Sequence, residues 1–496
     1  MTGASRRGRV AVPSIGAGAL LALSLPPWGW WPLAPLGAAL LYWRLAGLAG
    51  RTRAWAGWLA GLGCFGPGLM WARHFNWYGA LVLVLLEALF VAAAAVLTPP
   101  DQGRAPAFVG ACTLAEAVRM TWPFGGLPLG GVFLGQADGP LLQLARLGGP
   151  LLLTAAVWAL GVGVATAVAG LRRPRPRRAL WRGSAIVAGV VLLATLGAAA
   201  PDGGRPVRSI AVVSVQGGGR RGLSAAEVAP VTVYRAQLNA TAAWSRTAHG
   251  APDLVLWPED VIALGGPLVG STEDAALGGI ARALHTTLVA GVTEPVGTTA
   301  FRNEIVAWNP EGHLVEEFEK VHRVPFGEYV PFRSFFAHFA DLSQVPLDAV
   351  PGHGTGLLRT PAGPLGTLVS FEVFYANRSR TSVRAGAELL VVPTNTSSYA
   401  TSQVPGQELA ADAIQAVETG RDLVEAAPTG YSSVVTERGV VLVLSVLGRR
   451  QVVTAHVALR HGFTPYDHIG DLPFLVLGAL GVAAGWRRDR RTARHS

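Results

Sequence analysis

The chain of 496 residues carries one lysine, Lys320, and its remaining basic side chains outside histidine are 40 arginines. A chain that uses arginine wherever a cation is wanted marks its lone lysine as a position needing a compact ammonium on a flexible stem rather than a planar fork. Lys320 lies in the segment FEKVHRVPFGEYVP, Phe318–Pro331. Two other polar points follow apolar runs. One is Glu259 in Trp257-Pro258-Glu259, and the other is Ser370 in Ser370-Phe371-Glu372. A carboxylate base, an ammonium for a developing oxyanion and a hydroxyl nucleophile together make an acyl-transfer arrangement. Singly, each has a plainer reading: a Glu after Trp-Pro serves as a turn or cap residue, and a serine at a strand end is inert. The chemistry therefore depends on the three converging. No metal site or cofactor is expected, because the 11 histidines are scattered and His322 and His338 lack partners at ligand spacing.

The elements that must position these groups begin near Arg205. VRSIAVVSVQ, DLVLWP, TLVAGVTE, NEIVAWNP, PLGTLVSFE, ELLVVPTN and DLVEAAPTG are short β-branched runs that end in turn or polar residues. Helix-like segments lie between them at 224–248, 272–285, 372–386 and 407–419. Alternating strands and helices imply an α/β sandwich with buried strands, whose chemistry gathers at strand ends.

The rest of the chain belongs with lipid. Only 15% of residues are charged, 50% are hydrophobic and the mean hydropathy is +0.37, whereas soluble chains carry about 25% charged residues. Apolar stretches long enough to cross a bilayer fall at 10–26, 29–46, 54–72, 78–98, 105–121, 147–170, 183–200 and 471–486. No small-residue cleavage site follows the first, so a cleaved signal is not expected. Arg6, Arg7 and Arg9 precede the first stretch, and Arg44, Arg51 and Arg53 follow the second. Arg104 follows the fourth, Arg172, Arg173, Arg175, Arg177, Arg178 and Arg182 follow the sixth, and Arg487, Arg488, Arg490, Arg491 and Arg494 follow the last. With eight spans these clusters share one side, which the positive-inside rule assigns to the cytoplasm. Residues 1–200 then form a bundle of about seven spans, 201–470 an extracytoplasmic α/β domain, and 471–496 a last span with a basic cytoplasmic tail. The net charge of +10 is thus topological, and no nucleic acid is expected as a partner. Glu87, Glu116 and Arg119 lie within apolar stretches, the last two at a helical i, i+3 spacing, where a structural role is weighed against lipid-headgroup contact. Cys64 and Cys112 also lie in apolar stretches and read as small buried hydrophobes.

WPE, EKVHRVPFGEYVP and an apolar run ending in a residue followed by an aromatic and Glu resemble the signature of the apolipoprotein N-acyltransferases, membrane members of the nitrilase (carbon–nitrogen hydrolase) superfamily. LSLPPWGWWPLAPL, the Glu116/Arg119 segment and GFTPYDHIGDLPF are similar to that family as well, so the resemblance covers nearly the whole chain. It implies a nitrilase-like αββα sandwich outside a membrane bundle. The implied activity moves a fatty acyl chain from phospholipid to the α-amino group of a lipoprotein's diacylglyceryl-modified cysteine, through an acyl-enzyme. It casts Glu259 as general base, Lys320 as oxyanion stabiliser and Glu328 as a supporting acid. Phe371 stands where the family has tyrosine, Glu372 matches the acid after it, and Ser370 stands where the family has its catalytic cysteine.

That departure leaves three readings open. Ser370 works as a slower or specialised nucleophile; or the protein is a catalytically impaired partner that grips lipids or lipoproteins; or the domain hydrolyses another amide. A thiol ionises near 8.5, whereas a serine hydroxyl must lose its proton during attack, and a carboxylate near 4.3 is a poor base for it unless burial raises its pKa. A handicap of about 2–3 kcal/mol slows a step roughly 30–150-fold. A cysteine-bearing homologue in the same cell is a partner this substitution brings into view. The aromatic stretch FRSFFAHF, Phe332–Phe339, is expected either to dip into the outer leaflet or to pack on the sandwich. Asn239-Ala-Thr, Asn377-Arg-Ser and Asn395-Thr-Ser match a glycosylation pattern that often arises by chance.

Overall fold

The computed structural model describes residues 3–74, 76–171, 177–219, 228–248, 250–338, 341–343, 345–396 and 402–493. Arg172, Arg173, Arg175, Arg494, Phe339, Ser397 of the third Asn-X-Ser match, and the start of the 224–248 segment lie outside the described residues. The chain divides into two compact units, residues 1–200 with 468–496, and residues 201–467.

The first unit consists of helices α1 (Gly3–Leu23), α2 (Leu33–Arg44), α3 (Gly50–Gly68), α4 (Trp77–Leu97), α5 (Arg104–Arg119), α6 (Ala145–Leu171), α7 (Arg177–Ala199) and α14 (Leu472–Ala493). Each apolar stretch of the sequence supplies one of them. Among the described residues, three helices are suited by length and composition to crossing a membrane: Trp77–Leu97, Leu142–Leu171 and Arg177–Ala199. The 12-residue α2 spans only about 18 Å, short of a hydrocarbon core of about 30 Å. Its stretch is shortened because Gly29 takes a positive φ and residues up to Pro32 are spent in turns before the helix starts. Small residues let the helices approach closely. A Cβ on Gly61 would lie 2.5 Å from the Cα of Ala88, so α3 meets α4 only because that position is glycine.

The Arg119 guanidinium, fully buried, gathers the charges of this unit. It pairs with Glu116 Oε1 at 2.6 Å and Glu87 Oε2 at 3.3 Å. It also donates to the carbonyls of Leu127, Pro128 and Leu129. Glu87 of α4 thus joins the i, i+3 pair of α5, and the cluster ties two helices to the segment that follows them.

The second unit runs β1 (Arg208–Gln216), α8 (Pro230–Ser245), β2 (Leu254–Leu256), β3 (Ile262–Ala263), α9 (Thr272–Leu284), β4 (Thr287–Val296), β5 (Ala300–Trp308) and β6 (Leu314–Glu319). It continues with α10 (Arg333–Phe336), β7 (Asp348–Ala349), β8 (Leu357–Thr360), β9 (Gly363–Thr367), α11 (Ala376–Arg384) and β10 (Leu389–Pro393). Last come α12 (Val404–Thr419), β11 (Leu423–Ala426), β12 (Ser433–Val435), β13 (Val441–Leu444), β14 (Gln451–Leu459) and α13 (Pro465–Ile469). One sheet has the order β14-β1-β2-β4-β5-β6 with β3 and β7 attached, the other β13-β12-β11-β10-β9-β8. The centres are parallel, β1-β2-β4 in one sheet and β9-β10-β11 in the other.

Side-chain alternation explains the layering. Val212, Leu254, Leu256, Val289 and Ile305 point inward and meet Leu365, Leu389, Val391 and Val424 of the other sheet. Their neighbours Val213, Val255, Leu288 and Val306 point the other way and are covered by Ala240 of α8 and Leu277 and Ala281 of α9. Helices α11 and α12 pack on the second sheet. Each fully buried Val, Leu or Ile of this αββα sandwich contributes roughly 1.5–3 kcal/mol of transfer free energy. The parallel strands end in loops at their carboxyl edge, and those loops carry Glu259, Ser370 and Thr394.

Candidate active site

Glu259 sits three residues beyond β2, and the sequence anchors it from both sides. Trp257, with no exposed surface, donates its backbone N–H to Val289 and its indole N–H to the Thr241 hydroxyl at 3.1 Å. Gly291 of β4 then donates to the Pro258 carbonyl at 3.0 Å. A Cβ on Gly291 would lie 2.5 Å from the Cα of Glu259, so only glycine lets this loop cross the strand.

Lys320 follows β6 directly and is 2% exposed. Its Nζ lies 2.7 Å from Glu259 Oε1 and 2.7 Å from Glu328 Oε1. The Asn303 amide donates to the same two oxygens, at 2.8 and 3.2 Å, and Val324 N–H donates to the other Glu328 oxygen at 2.8 Å. Burial alone would lower the pKa of the Lys320 ammonium, but the two carboxylates outweigh it and the net shift is upward, so the lysine stays charged. Burial and the neighbouring Glu259 raise the Glu328 carboxyl against the pull of Lys320. One cation between two acids leaves the cluster able to retain a proton.

Ser370 opens a 3-10 turn, Ser370–Phe374, after β9. Its φ of +50° is left-handed, a conformation that costs a non-glycine residue about 1–3 kcal/mol and persists only where the surroundings impose it. Here the constraint is Glu372, which is fully buried. Its Oε2 accepts the Val369 N–H at 3.0 Å, and its Oε1 accepts the N–H groups of Val321 and His322 at 2.9 and 3.0 Å. Arg378 lies 3.5 Å from the same carboxylate. Glu372 thus straps the turn of Ser370 to the two residues after Lys320. The His322 ring stacks on Tyr375 at 4.3 Å, and Phe371 meets Tyr375 edge-on at 5.2 Å, closing the strap with aromatic contacts. The half-buried Ser370 hydroxyl hydrogen-bonds with Thr394 Oγ1 at 3.1 Å. The next residue, Asn395, donates to Asp260 beside Glu259 at 3.2 Å.

All six residues singled out in the sequence therefore belong to one network, with Glu259, Lys320 and Glu328 in direct contact, and Ser370, Phe371 and Glu372 in the turn tied to it. Among the members that escape the sequence reading are Asn303, Arg378, Thr394 and Glu408, whose Oε1 accepts from Thr394 Oγ1 at 2.6 Å. Asn303 and Thr394 had a usable signal, being polar residues at the ends of the apolar runs NEIVAWNP and ELLVVPTN. Arg378 and Glu408 had none.

The same arrangement of segments recurs in known proteins. Residues 17–164 match the sequence profile of the apolipoprotein N-acyltransferase N-terminal domain, and residues 236–461 that of carbon–nitrogen hydrolases. The apolipoprotein N-acyltransferase of Mycolicibacterium smegmatis is 31% identical over 499 residues, covering 95% of this chain and 83% of that protein. The one from Pseudomonas putida is 28% identical over 507 residues, covering 95% of each chain. Among solved structures, an amidase from Nesterenkonia sp. aligns over 54% of this chain and 98% of its own, with 22% identity and a TM-score of 0.38. By its identity and coverage with such relatives, the chain belongs to the apolipoprotein N-acyltransferase family.

Proposed function

We propose that the protein is a membrane N-acyltransferase that carries a fatty acyl chain from a phospholipid to the α-amino group of the diacylglyceryl-modified N-terminal cysteine of lipoproteins. Ser370 holds the acyl chain as an oxygen ester between the two half-reactions. In the first, the Ser370 Oγ attacks the phospholipid ester carbonyl, the oxyanion develops towards the Lys320 ammonium, and the lysophospholipid leaves. In the second, the lipoprotein amine attacks the Ser370 ester and frees the hydroxyl. Glu259 acts as general base and holds Lys320, Glu328 keeps the ammonium buried and charged, and Glu372 with Phe371 fixes the turn. The observation that carries this reading is the buried contact of Lys320 Nζ with Glu259 and Glu328, 2.7 Å each, strapped to the Ser370 turn through Glu372. An ammonium kept charged in a water-poor site suits the stabilisation of developing negative charge.

The eight apolar helices form the membrane unit in this reading, with residues 201–470 extracytoplasmic and both termini in the cytoplasm. The arginine clusters between alternate helices support that orientation. Phe332 and Phe335, 72% and 59% exposed, suit contact with acyl chains, and Arg333 pairs with Asp348 at the base of their helix at 2.5 Å.

The test is transfer itself. Purified protein is supplied with phospholipid bearing a labelled acyl chain and a synthetic diacylglyceryl lipopeptide. Label should move to the peptide amine with wild type and not with Ser370→Ala or Lys320→Met. Transfer that survives in Ser370→Ala would remove serine from the mechanism.

A further inference from the structure

Behind Ser370 lies a row of buried acids that the roles above leave unused. Thr394, at the end of β10, has its Oγ1 3.1 Å from Ser370 Oγ and 2.6 Å from Glu408 Oε1. Glu408 belongs to α12 and has no exposed surface; the same holds for Asp412 of that helix and Glu425 of β11. Glu408, Asp412 and Glu425 are close enough to shift one another's acidity, and Asp412 accepts from Ser433 at 3.4 Å. Hydrogen bonds therefore lead from the nucleophile through Thr394 to Glu408, with the other two acids behind it.

Resting on the reading of Ser370 as nucleophile, we propose that in acylation Thr394 and Glu408 form the relay that takes the proton from its hydroxyl: Ser370 Oγ–H to Thr394 Oγ1, and the Thr394 proton to Glu408 Oε1. This leaves Glu259 to hold Lys320 and to serve as base towards the lipoprotein amine in the second half-reaction. Thr394 touches the reacting oxygen and is the catalytic member; Glu408 acts through it. In acylation, the bond from Ser370 Oγ to the carbonyl carbon forms as the serine proton passes to Thr394 and the threonine proton to Glu408. The tetrahedral adduct then breaks its bond to the lysophospholipid oxygen. That oxygen, on the same carbon as Ser370 Oγ, recovers the proton from Glu408 back through Thr394. Protons and charge balance with no added reagent.

The environment suits this work. A carboxylate of ordinary acidity is too weak a base for a serine hydroxyl, but burial pushes the Glu408 carboxyl up to about 7, near working pH, where a proton acceptor is most effective. The groups facing it are Thr394 and Thr396 from the loop after β10, Glu425 from β11, Asp412 on its own helix and Glu259 from the loop after β2. Burial, then repulsion from neighbouring acids (Glu408 on Asp412, Asp412 and Glu408 on Glu425), pushes Asp412 and Glu425 well above the usual carboxylate range.

The experiment follows acylation of Ser370 by mass spectrometry, with phospholipid as donor and no lipoprotein, across pH 5.5–9. The wild-type rate should rise through a limb near pH 7. Thr394→Val and Glu408→Gln should each slow it on the order of 100-fold, the lower end of what general-base loss costs, and Glu408→Gln should flatten the limb. Thr394→Ser should restore most of the rate. In the Ser370→Cys background the penalty of Thr394→Val should shrink at least about tenfold, since a thiol ionises near 8.5 without help; a merely structural threonine would cost the same in both. A wild-type rate with no limb near neutrality, or Thr394→Val and Glu408→Gln acylating at wild-type rates, overturns the relay while leaving Ser370 as nucleophile. No adduct on wild type overturns both.

Discussion

Replacing Lys320 separates its two duties. Its ammonium is 2% exposed and holds two carboxylates at 2.7 Å each. In Lys320→Met the Glu259 and Glu328 oxygens, which also share the Asn303 amide, face one another without a cation. Stranding buried charge in this way costs about 3–5 kcal/mol, and for a domain of this size each kcal/mol lowers Tm by roughly 2–4 °C. Lys320→Arg keeps the charge and should recover part of that loss. It cannot keep the compact ammonium, so Ser370 acylation should still fall about 100–1,000-fold, the range for a lost oxyanion donor. The pH dependence has a definite sign. The folded lysine has its pKa raised above the ordinary 10.5, so its stabilising contribution is complete below that value and is lost only as pH rises through the folded one. The methionine variant should instead regain stability as pH falls and a proton replaces the cation between the acids. Thermal unfolding in detergent, followed by near-UV circular dichroism, reads the first quantity and the acyl adduct reads the second. Lys320→Met unfolding like wild type, or Lys320→Arg acylating at the wild-type rate, would refute this account of the cluster.

Other consequences follow from the same geometry. Gly291→Ala should displace the Glu259 loop, because the new methyl would sit 2.5 Å from the Glu259 Cα; acylation should drop more than tenfold while the fold persists. Asp412→Asn should flatten the pH dependence of stability. The wild-type acid is raised well above its ordinary value by burial, so its stabilisation is present at low pH and lost as pH rises through the folded pKa. Equal slopes between pH 5 and 8 in the two proteins would contradict that. Phe335→Ser with Phe336→Ser should weaken phospholipid turnover while leaving the Lys320 cluster intact; unchanged turnover removes the membrane-dipping arm.

What the sequence made legible was whatever local pattern decides. The seven β-branched runs form strands because their burial is written in consecutive residues, and the lone lysine stood out by composition. Strand β14, Gln451–Leu459, pairs along the whole length of β1, a contact between residues more than 200 apart that no window of sequence reveals. Strand β6, LVEEFE, is acid-rich and reads poorly as a strand, yet its end aims Lys320. The relay was hidden for the same reason: Thr394 lies 24 residues from Ser370 and Glu408 a further 14 away, brought together by parallel strands and the helix between them. The second apolar stretch also misled on length, since composition does not count the turns spent before Pro32.

Wild type incubated with phospholipid and digested should yield one peptide containing Ser370 with the mass of an added acyl chain, absent from Ser370→Ala and present in Ser370→Cys. An unmodified Ser370 peptide from protein that still delivers acyl chains to lipopeptide would contradict the central claim.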